Sequence, residues 1–254
     1  MRAALGGRWA AVAGVASLTA ASAVLRTEGL RVRLWLDEAI SVGIASQPLG
    51  AIPGLMRRDG SPPLYYLLLH GWMEVAGQSE AALHLLSLAF GVAVVPVAYW
   101  AGRSLFGRRV GWMAAAMAAA NPYITRYSVE VRMYTLLVLL SLVCVTCFVH
   151  AFVHGRRRWL PAFVLSLALT MYTHNWGLFL ALSLGVTALA LGFRNGRSSV
   201  ARTAAPFAVV GVLYAPWIPT LLAQARDVGA PWSKSPGLRE VIWSAGAVFG
   251  DERA

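Results

Sequence analysis

Long apolar blocks, separated by short loops that carry arginine, constrain what this chain can fold into. A helix needs about 20 apolar residues to cross a hydrocarbon core of about 30 Å. Lipid cannot satisfy free backbone groups, and no block has the alternating pattern of a membrane barrel. The sequence therefore predicts an all-α bundle of about seven transmembrane spans. The predicted spans are residues 9–25, 81–100, 110–124, 133–153, 159–172, 176–193 and 203–222, of which the third and fifth are near the lower length limit.

Composition agrees with a membrane protein. Hydrophobic residues make up 58% of the 254 and charged residues 13%, whereas a soluble domain has about 25% charged residues. The first block has no small-residue cleavage site followed by a soluble domain, so we interpret it as a span and not as a signal peptide. Cys147, His150 and His154 share a helical face and could hold a metal. We favour a simpler interpretation, in which the two histidines reach for the membrane interface at a helix end.

The distribution of arginine predicts the orientation of the spans. Arginine-rich short loops stay in the cytoplasm, and here every second loop is rich in arginine. The loops between them hold only Arg126 and Arg132, or no arginine. The N-terminus is therefore predicted to be cytoplasmic. The arginine-rich loops contain Arg103, Arg108 and Arg109, then Arg156, Arg157 and Arg158, then Arg194, Arg197 and Arg202.

The acidic residues fit the same orientation. All eleven lie in predicted outer loops or after the last span. We treat residues 1–254 as a single membrane module with a long outer loop at 26–80, which carries short interfacial helices, and a last outer segment at 223–254. The net charge of +11 is mostly this topology signal. No single basic face is dense enough for nucleic acid, which is not an expected partner.

The long outer loop contains an adjacent acidic pair, Asp37 and Glu38, inside the apolar segment 34–41. Partial desolvation near a membrane surface makes a carboxylate a stronger base, so the pair is a candidate for general base catalysis. A solvated acid pair on an interfacial helix explains the same residues equally well.

Further along the loop, Tyr65 and Tyr66 follow a turn at residues 59–63 and begin a predicted helix. Most of this segment is expected to be structural. The tyrosine rings suit a membrane interface, and their hydroxyls can bond a sugar, so both are candidate substrate-binding residues.

Two shorter outer loops also carry candidates. Glu130 and Arg132 lie between the third and fourth predicted spans, where the guanidinium could bind phosphate while the carboxylate orients it or an acceptor. His174 lies in a loop of three residues and could protonate or hydrogen-bond a phosphate leaving group. The alternatives are two charges that mark a helix end and an interfacial histidine without a chemical role.

Several segments together resemble the GT-C glycosyltransferases. They are similar above all to the bacterial branch related to protein O-mannosyltransferases and lipid A aminoarabinose transferases. Their order and spacing extend from about Trp35 to Pro219. The segments are WLDEAIS, SPPLYYLLLHGW, SEAALHLLSLAFGVAVVPVAYWAGRSLFGRRVG, NPYITRYSVEVRMYTLLVLLSL, MYTHNWGLF and YAPWIP.

The resemblance implies transfer of a sugar, mannose or similar, from a polyprenyl-phosphate carrier to a protein, lipid or glycan acceptor on the non-cytoplasmic side of the cell membrane, with inversion. It makes Asp37 the general base and Glu38 its support. A base on one side of the sugar needs a cationic or hydrogen-bonding group on the phosphate side. Arg132 and His174 are the candidates there, with Glu130 and the two tyrosines nearer sugar or acceptor.

Two other functional classes stay open at this stage. One is a non-catalytic subunit that binds carrier lipid or a partner. The other is a transporter, although the charges cluster at span ends and not within the spans. Members of the group usually carry more spans after the seventh, so we expect a truncated product, a fragment or a minimal core. No cofactor and no required metal are expected, because one acidic pair is a weak cation site.

Overall fold

The computed structural model of the protein describes residues 2–194, 197–227 and 237. These residues form helices and connecting turns, and none of them is in a strand. The described residues form two compact units. The first contains residues 2–39, 72–135 and 237, and the second contains residues 40–71, 136–194 and 197–227. The all-α prediction is confirmed.

Twelve α-helices are described in these ranges. Short 3₁₀ turns at Thr27–Arg31, Arg157–Trp159 and Ala215–Trp217 and a π-helical turn at Val149–Val153 join or extend some of them. The α-helices are α1 Arg2–Arg26, α2 Leu36–Ala45, α3 Ile52–Asp59, α4 Leu64–Ala76, α5 Glu80–Phe106, α6 Arg108–Ala120, α7 Pro122–Ser128, α8 Tyr134–Phe148, α9 Leu160–Thr173, α10 Trp176–Arg194, α11 Arg197–Tyr214 and α12 Ile218–Asp227.

In the first unit, α5 and α6 form a tightly packed helical hairpin. Gly102 and Gly111 lie at their contact. A Cβ atom on Gly102 would come within 2.9 Å of the Val110 carbonyl oxygen, and one on Gly111 within 2.9 Å of the Tyr99 carbonyl oxygen. The turn between the helices is Gly107, whose φ of +98° favours glycine. Small residues at such contacts allow helices in lipid to approach closely.

A buried arginine connects α1 to this hairpin. Arg26, the last residue of α1, is 1% exposed. Its guanidinium donates hydrogen bonds to the Gly91 carbonyl of α5 at 3.0 Å and to the Ala118 carbonyl of α6 at 2.9 Å. Ala118 is in the last turn of α6, where carbonyl groups lack helical partners and the helix dipole favours a cation. The charge is therefore offset by backbone dipoles.

In the second unit, α9, α10 and α11 pack against one another. A Cβ atom on Gly177 would come within 2.7 Å of the Thr170 carbonyl oxygen, so α10 begins in direct backbone contact with the end of α9. Phe163 and Phe207 pack edge to face between α9 and α11, with ring centroids 5.2 Å apart. At the other end of the same helix pair, the Tyr172 hydroxyl donates a 2.9 Å hydrogen bond to the Leu213 carbonyl.

Five segments in the described part of the chain are long and apolar enough to cross a membrane. Each overlaps a predicted span, so the chain is a multi-pass membrane protein. The remaining two predicted spans, 110–124 and 159–172, coincide with α6 and α9, which have only 13 and 14 residues. Asn121 ends α6 early, since its side chain caps α7 by accepting the Ile124 N–H at 2.9 Å. The total of seven spans stays a prediction. The five segments are Trp9–Arg26, Glu80–Phe106, Tyr134–Val153, Trp176–Arg194 and Val200–Arg226.

The long loop predicted at 26–80 contains the short helices α2, α3 and α4 and a 3₁₀ turn. The short helices are as predicted, and the place of the loop on the outer face stays a prediction. Helix α12 continues five residues past the predicted end of the last span, to Asp227. In the last predicted outer segment, 223–254, residues 228–236 and 238–254 lie outside the described residues.

Candidate functional site

The first turn of α2 carries Asp37 and Glu38, and the two carboxylates have different surroundings. Glu38 is 2% exposed, whereas Asp37 is half-buried. One carboxylate oxygen of Glu38 accepts the Trp35 N–H at 2.9 Å. The other accepts the Val131 N–H at 2.7 Å. Glu38 therefore fixes the start of α2 to the loop between α7 and α8.

His84, in the first turns of α5, completes the surroundings of Glu38. Its Nε2 atom lies 3.3 Å from Oε1 of Glu38, and its Nδ1 atom lies 2.7 Å from the Glu80 carbonyl oxygen. Both neighbours are acceptors, so a protonated ring can donate to both. At 1% exposure the ring is inaccessible to water. When the ring is protonated, the two side chains form a buried ion pair with additional hydrogen bonds on each partner, the arrangement that offsets the desolvation of both charges.

These contacts decide the proton affinity of Glu38. Burial alone would raise the pKa of the carboxyl, but the hydrogen bonds from His84, Val131 and Trp35 outweigh it and hold the pKa below its usual value. A carboxylate with three donors and a lowered pKa is a weak base. Glu38 is thus suited to positioning, and Asp37 beside it is the member of the pair that a substrate can approach.

The loop between α7 and α8 brings Arg132 to the same place. Its Nη1 atom lies 3.5 Å from the Asp37 carbonyl oxygen. The guanidinium carbon is 5.9 Å from the centre of the Tyr134 ring, in cation–π range. The Ser87 hydroxyl donates to the Arg132 carbonyl at 3.2 Å and so holds this part of the loop against α5. The guanidinium is therefore fixed beside the first turn of α2.

Glu130 lies in the same loop and is half-buried. Burial raises the pKa of its carboxyl, and the negative charges of Glu38 and Asp37 add to that rise, while Arg126 and Arg132 oppose it. Its carboxylate is 3.9 Å from Nε of Arg126. The predicted loop with Glu130 and Arg132 is confirmed, and the structure brings both residues together with the acidic pair.

Three tyrosines flank this loop. The Tyr127 ring lies 4.5 Å from the Tyr123 ring and 4.7 Å from the Tyr134 ring, measured between centroids. Burial, followed by the interaction with Tyr123, raises the pKa of Tyr127 to about 12. Its hydroxyl therefore stays protonated near neutral pH. Aromatic faces and protonated hydroxyls are the groups that sugar recognition uses.

The remaining predicted site residues belong to the second unit. Tyr65 and Tyr66 are fully buried, and the Tyr66 hydroxyl donates to the Asp59 carboxylate at 2.8 Å. Asp59 ends α3, and Gly60 follows with a φ of +85°, so the predicted turn and helix start are confirmed. These contacts favour a structural role for Tyr66. Sugar binding by the two tyrosines stays a prediction.

The turn around Gly60 also holds the loop that contains His174. The Asn175 side chain donates to the Gly60 carbonyl at 2.9 Å, and the Gln224 side chain of α12 donates to the Met56 carbonyl at 2.6 Å. His174 is half-buried, and its Nδ1 atom accepts the Trp176 N–H at 3.0 Å. A neutral ring then carries its proton on Nε2. This tautomer can donate to a phosphate oxygen.

A metal site has no obvious basis among these side chains. The residues that the structure describes contain no group of three or more His, Cys, Asp and Glu side chains placed to hold a metal ion. Independence from metal stays a prediction.

Comparison with known proteins identifies the family. A family model described as dolichyl-phosphate-mannose-protein mannosyltransferase matches residues 60–222, more than half of the 254-residue chain. The chain belongs to this family. It is therefore a membrane glycosyltransferase of the GT-C kind. Searches of curated proteins and of solved structures find no match to the chain.

The mannosyltransferase match covers the other five predicted site residues and His84, and it omits the acidic pair. Asp37 and Glu38 precede residue 60, so their roles depend on the resemblance of the segment WLDEAIS and on the geometry just described. The match covers Tyr65, Tyr66, His84, Glu130, Arg132 and His174.

Sequence reasoning missed two buried residues of this mannosyltransferase family member, His84 and Arg26. Each lies at the end of an apolar block, and an ionisable residue inside a membrane segment needs a partner. That signal could have identified both. The partners of the two residues could not be predicted from the sequence, because they are distant along the chain. Glu38, for example, is 46 residues from His84.

Proposed function

We propose that this chain transfers a sugar, mannose or similar, from a polyprenyl-phosphate carrier to an acceptor hydroxyl on the non-cytoplasmic face of the cell membrane. Asp37 is the general base. It takes the proton of the hydroxyl as the acceptor oxygen bonds to the anomeric carbon. The bond from that carbon to the phosphate oxygen breaks on the opposite side of the sugar, and polyprenyl phosphate leaves. Such a single displacement inverts the anomeric configuration.

The observation that carries this proposal is the difference in surroundings between the two carboxylates of the acidic pair. Three donors contact the Glu38 carboxylate, and these contacts hold the first turn of α2 in place. Asp37 immediately precedes Glu38 in the sequence and is half-buried, so an acceptor can reach it. A base needs both a fixed position and access to the proton that it removes. The contacts of Glu38 provide the fixed position, and the exposed part of Asp37 provides the access.

Arg132 has the charge that the leaving phosphate requires. Its guanidinium lies beside the turn that carries Asp37, and an arginine can donate two parallel hydrogen bonds to a phosphate. Glu130 shares its loop and serves the acceptor or the sugar. His174, which carries a proton on Nε2 in its neutral form, stays a sequence-based candidate for phosphate binding. Tyr65 and Tyr66 are fully buried, so their place on the sugar side stays a prediction.

The orientation follows from the distribution of arginine. Among the short loops, those around residues 103–109, 156–158 and 194–202 hold three arginines each, whereas the one that contains Glu130 holds two and 173–175 holds none. Short loops rich in arginine remain in the cytoplasm. This supports a cytoplasmic N-terminus and an active site on the outer face. A cysteine introduced at Gln78, next to α5, should react with a membrane-impermeant thiol reagent in intact cells, and one introduced at Arg108 should not.

The test of the function is sugar transfer in membranes that express the chain. Radiolabelled polyprenyl-phosphate sugars are supplied as donors, and parent, Asp37→Asn and Glu74→Gln proteins are compared at equal expression. Glu74 is an exposed carboxylate of α4 and serves as the matched control. Transfer by the parent and by Glu74→Gln, with none by Asp37→Asn, supports a self-sufficient transferase. Donor binding without transfer by any protein would instead indicate a non-catalytic subunit that binds carrier lipid.

A further inference from the structure

A polar cavity lies at the end of the second unit where α9 and α11 begin. It has a volume of about 490 Å³, and its lining includes Gly155, Arg157, Gly192, Arg202 and Thr203. Gly192 brings α10 close to α11, since a Cβ atom there would lie 3.1 Å from the Thr203 hydroxyl oxygen. Two guanidinium groups on different elements therefore border one cavity.

An apolar groove adjoins this cavity along α9 and α11. The groove has a volume of about 550 Å³, and side chains such as Val164, Leu165, Val209 and Leu213 line it. The cavity and the groove share three lining residues, Leu160, Arg202 and Ala205. The space therefore continues from a charged end into a hydrocarbon-lined end.

We propose that the cavity and the groove together bind one anionic membrane phospholipid. Its phosphate is held between Arg157 and Arg202, and one acyl chain lies along α9 and α11. A free phosphate or a soluble phosphate ester would use the two arginines and leave the groove exposed. An uncharged lipid would use the groove and make no use of the positive charge of the two arginines. An amphiphile with a negative head group satisfies both.

The local charge agrees with an anionic ligand. No Asp or Glu occurs between Glu130 and Asp227, whereas Arg156 and Arg158 lie next to Arg157. The potential at this end of the helices is therefore positive. Basic cavities between helices on the cytoplasmic side are typical sites for anionic lipid head groups. The orientation proposed above puts this end of the unit on that side.

The site is also separate from the proposed transfer chemistry. His174 follows the last residue of α9, whereas Arg157 precedes its first residue. A helix of 14 residues is about 20 Å long. Sugar transfer does not depend on lipid binding between Arg157 and Arg202. A result that contradicts one proposal therefore does not contradict the other.

The experiment is native mass spectrometry of the full chain, delipidated in detergent and titrated with phosphatidylglycerol or with phosphatidylcholine of the same acyl chains. The parent should bind one phosphatidylglycerol in preference to phosphatidylcholine. Each arginine near an anionic head group contributes about 1 kcal/mol, so the double variant Arg157→Gln/Arg202→Gln should bind about thirtyfold more weakly. Arg108→Gln/Arg109→Gln, which removes two exposed arginines at the start of α6, should bind like the parent.

A second variant keeps both arginines and protects the test against misfolding of the first. Ala205→Trp fills the junction of cavity and groove and should also weaken phosphatidylglycerol binding. Equal binding of the two lipids, or parent-like binding by Arg157→Gln/Arg202→Gln, would overturn the proposal. Displacement of the lipid by inorganic phosphate at a similar concentration would assign the site to free phosphate. Tighter binding of polyprenyl phosphate than of phosphatidylglycerol would assign it to the carrier. Either result would contradict a phospholipid site.

Discussion

The backbone N–H of Val131 donates a 2.7 Å hydrogen bond to the Glu38 carboxylate, although 93 residues of sequence separate them. This bond joins the first turn of α2 to the loop that carries Glu130 and Arg132. The proposed base, Asp37, is next to the acceptor of the bond, and the proposed phosphate ligand, Arg132, is next to its donor. A displacement of about 1 Å in such a site can cost a hundredfold in rate, so the spacing of base and phosphate ligand depends on this contact.

Glu38→Gln should destabilise the protein and slow transfer. The amide keeps one acceptor oxygen, but in either orientation its NH₂ group faces at least one N–H donor, that of Trp35 or that of Val131. Removing one partner of a buried ion pair costs about 3 kcal/mol. The measurement is thermal unfolding in detergent, with Glu74→Gln as the exposed control. An unchanged melting temperature would show that the buried contacts of Glu38 add nothing to stability.

The same variant should change the acid dependence of stability. Because the pKa of Glu38 is lowered in the folded protein, its contribution is present above the ordinary glutamate pKa of about 4.3. It is lost as pH falls through the lower folded value. The parent should therefore lose more stability than Glu38→Gln between pH 5 and acid conditions. Parallel unfolding curves for the two proteins would contradict the lowered pKa.

His84 is expected to act as a positioning residue through Glu38. His84→Phe keeps a ring of similar size and removes the donor to Oε1. Transfer should show a lower kcat with a nearly unchanged KM for donor, because His84 is buried and does not touch substrate. In the double variant with Glu38→Gln, the two stability losses should not add, with a coupling of about 1–3 kcal/mol. Additive losses would mean that the pair does not interact.

Glu130→Gln should affect stability with the opposite pH sign. The pKa of Glu130 is raised by burial, so its ionised form is disfavoured in the folded state. No cost exists below the unfolded pKa of about 4.3, and the full cost is reached above the folded pKa. The parent should therefore lose stability relative to the variant as pH rises from about 4.3 through the raised folded pKa. A stability difference between parent and variant that does not change with pH would contradict this.

Arg26→Met should destabilise the first unit. The substitution removes the charge-assisted hydrogen bonds to the Gly91 and Ala118 carbonyls, each worth about 1.5–3 kcal/mol. Arg33→Met, at an exposed position close in sequence, is the matched control and should change stability by less than about 0.5 kcal/mol. Equal melting temperatures for the two variants would show that the buried guanidinium is not a structural contact.

The sequence predicted the helices of this protein well because apolar block length is a strong signal in lipid. The span starting at residue 176 begins at that position, and the predicted loops with Glu130, Arg132 and His174 lie where expected. The signal was weaker where a block was short. Asn121 caps a new helix inside the third block, so α6 ends at Ala120 and not at residue 124.

The environment of the acidic pair could not be predicted in the same way. Adjacent carboxylates look equivalent in a sequence, and only the long-range contacts to His84 and Val131 distinguish Glu38 from Asp37. Tyr66 illustrates the same difficulty. Its ring suits an interface, but its hydroxyl donates to Asp59, seven residues away, which the local pattern does not indicate.

The most direct test of the central claim is a single-turnover comparison of purified parent and Asp37→Asn protein, with donor binding measured on the same samples. Loss of a general base costs about 10²–10⁴ in rate. The variant should bind the polyprenyl-phosphate sugar as the parent does and transfer it at least about a hundredfold more slowly. Transfer by Asp37→Asn at the parent rate would contradict the assignment of Asp37 as the base.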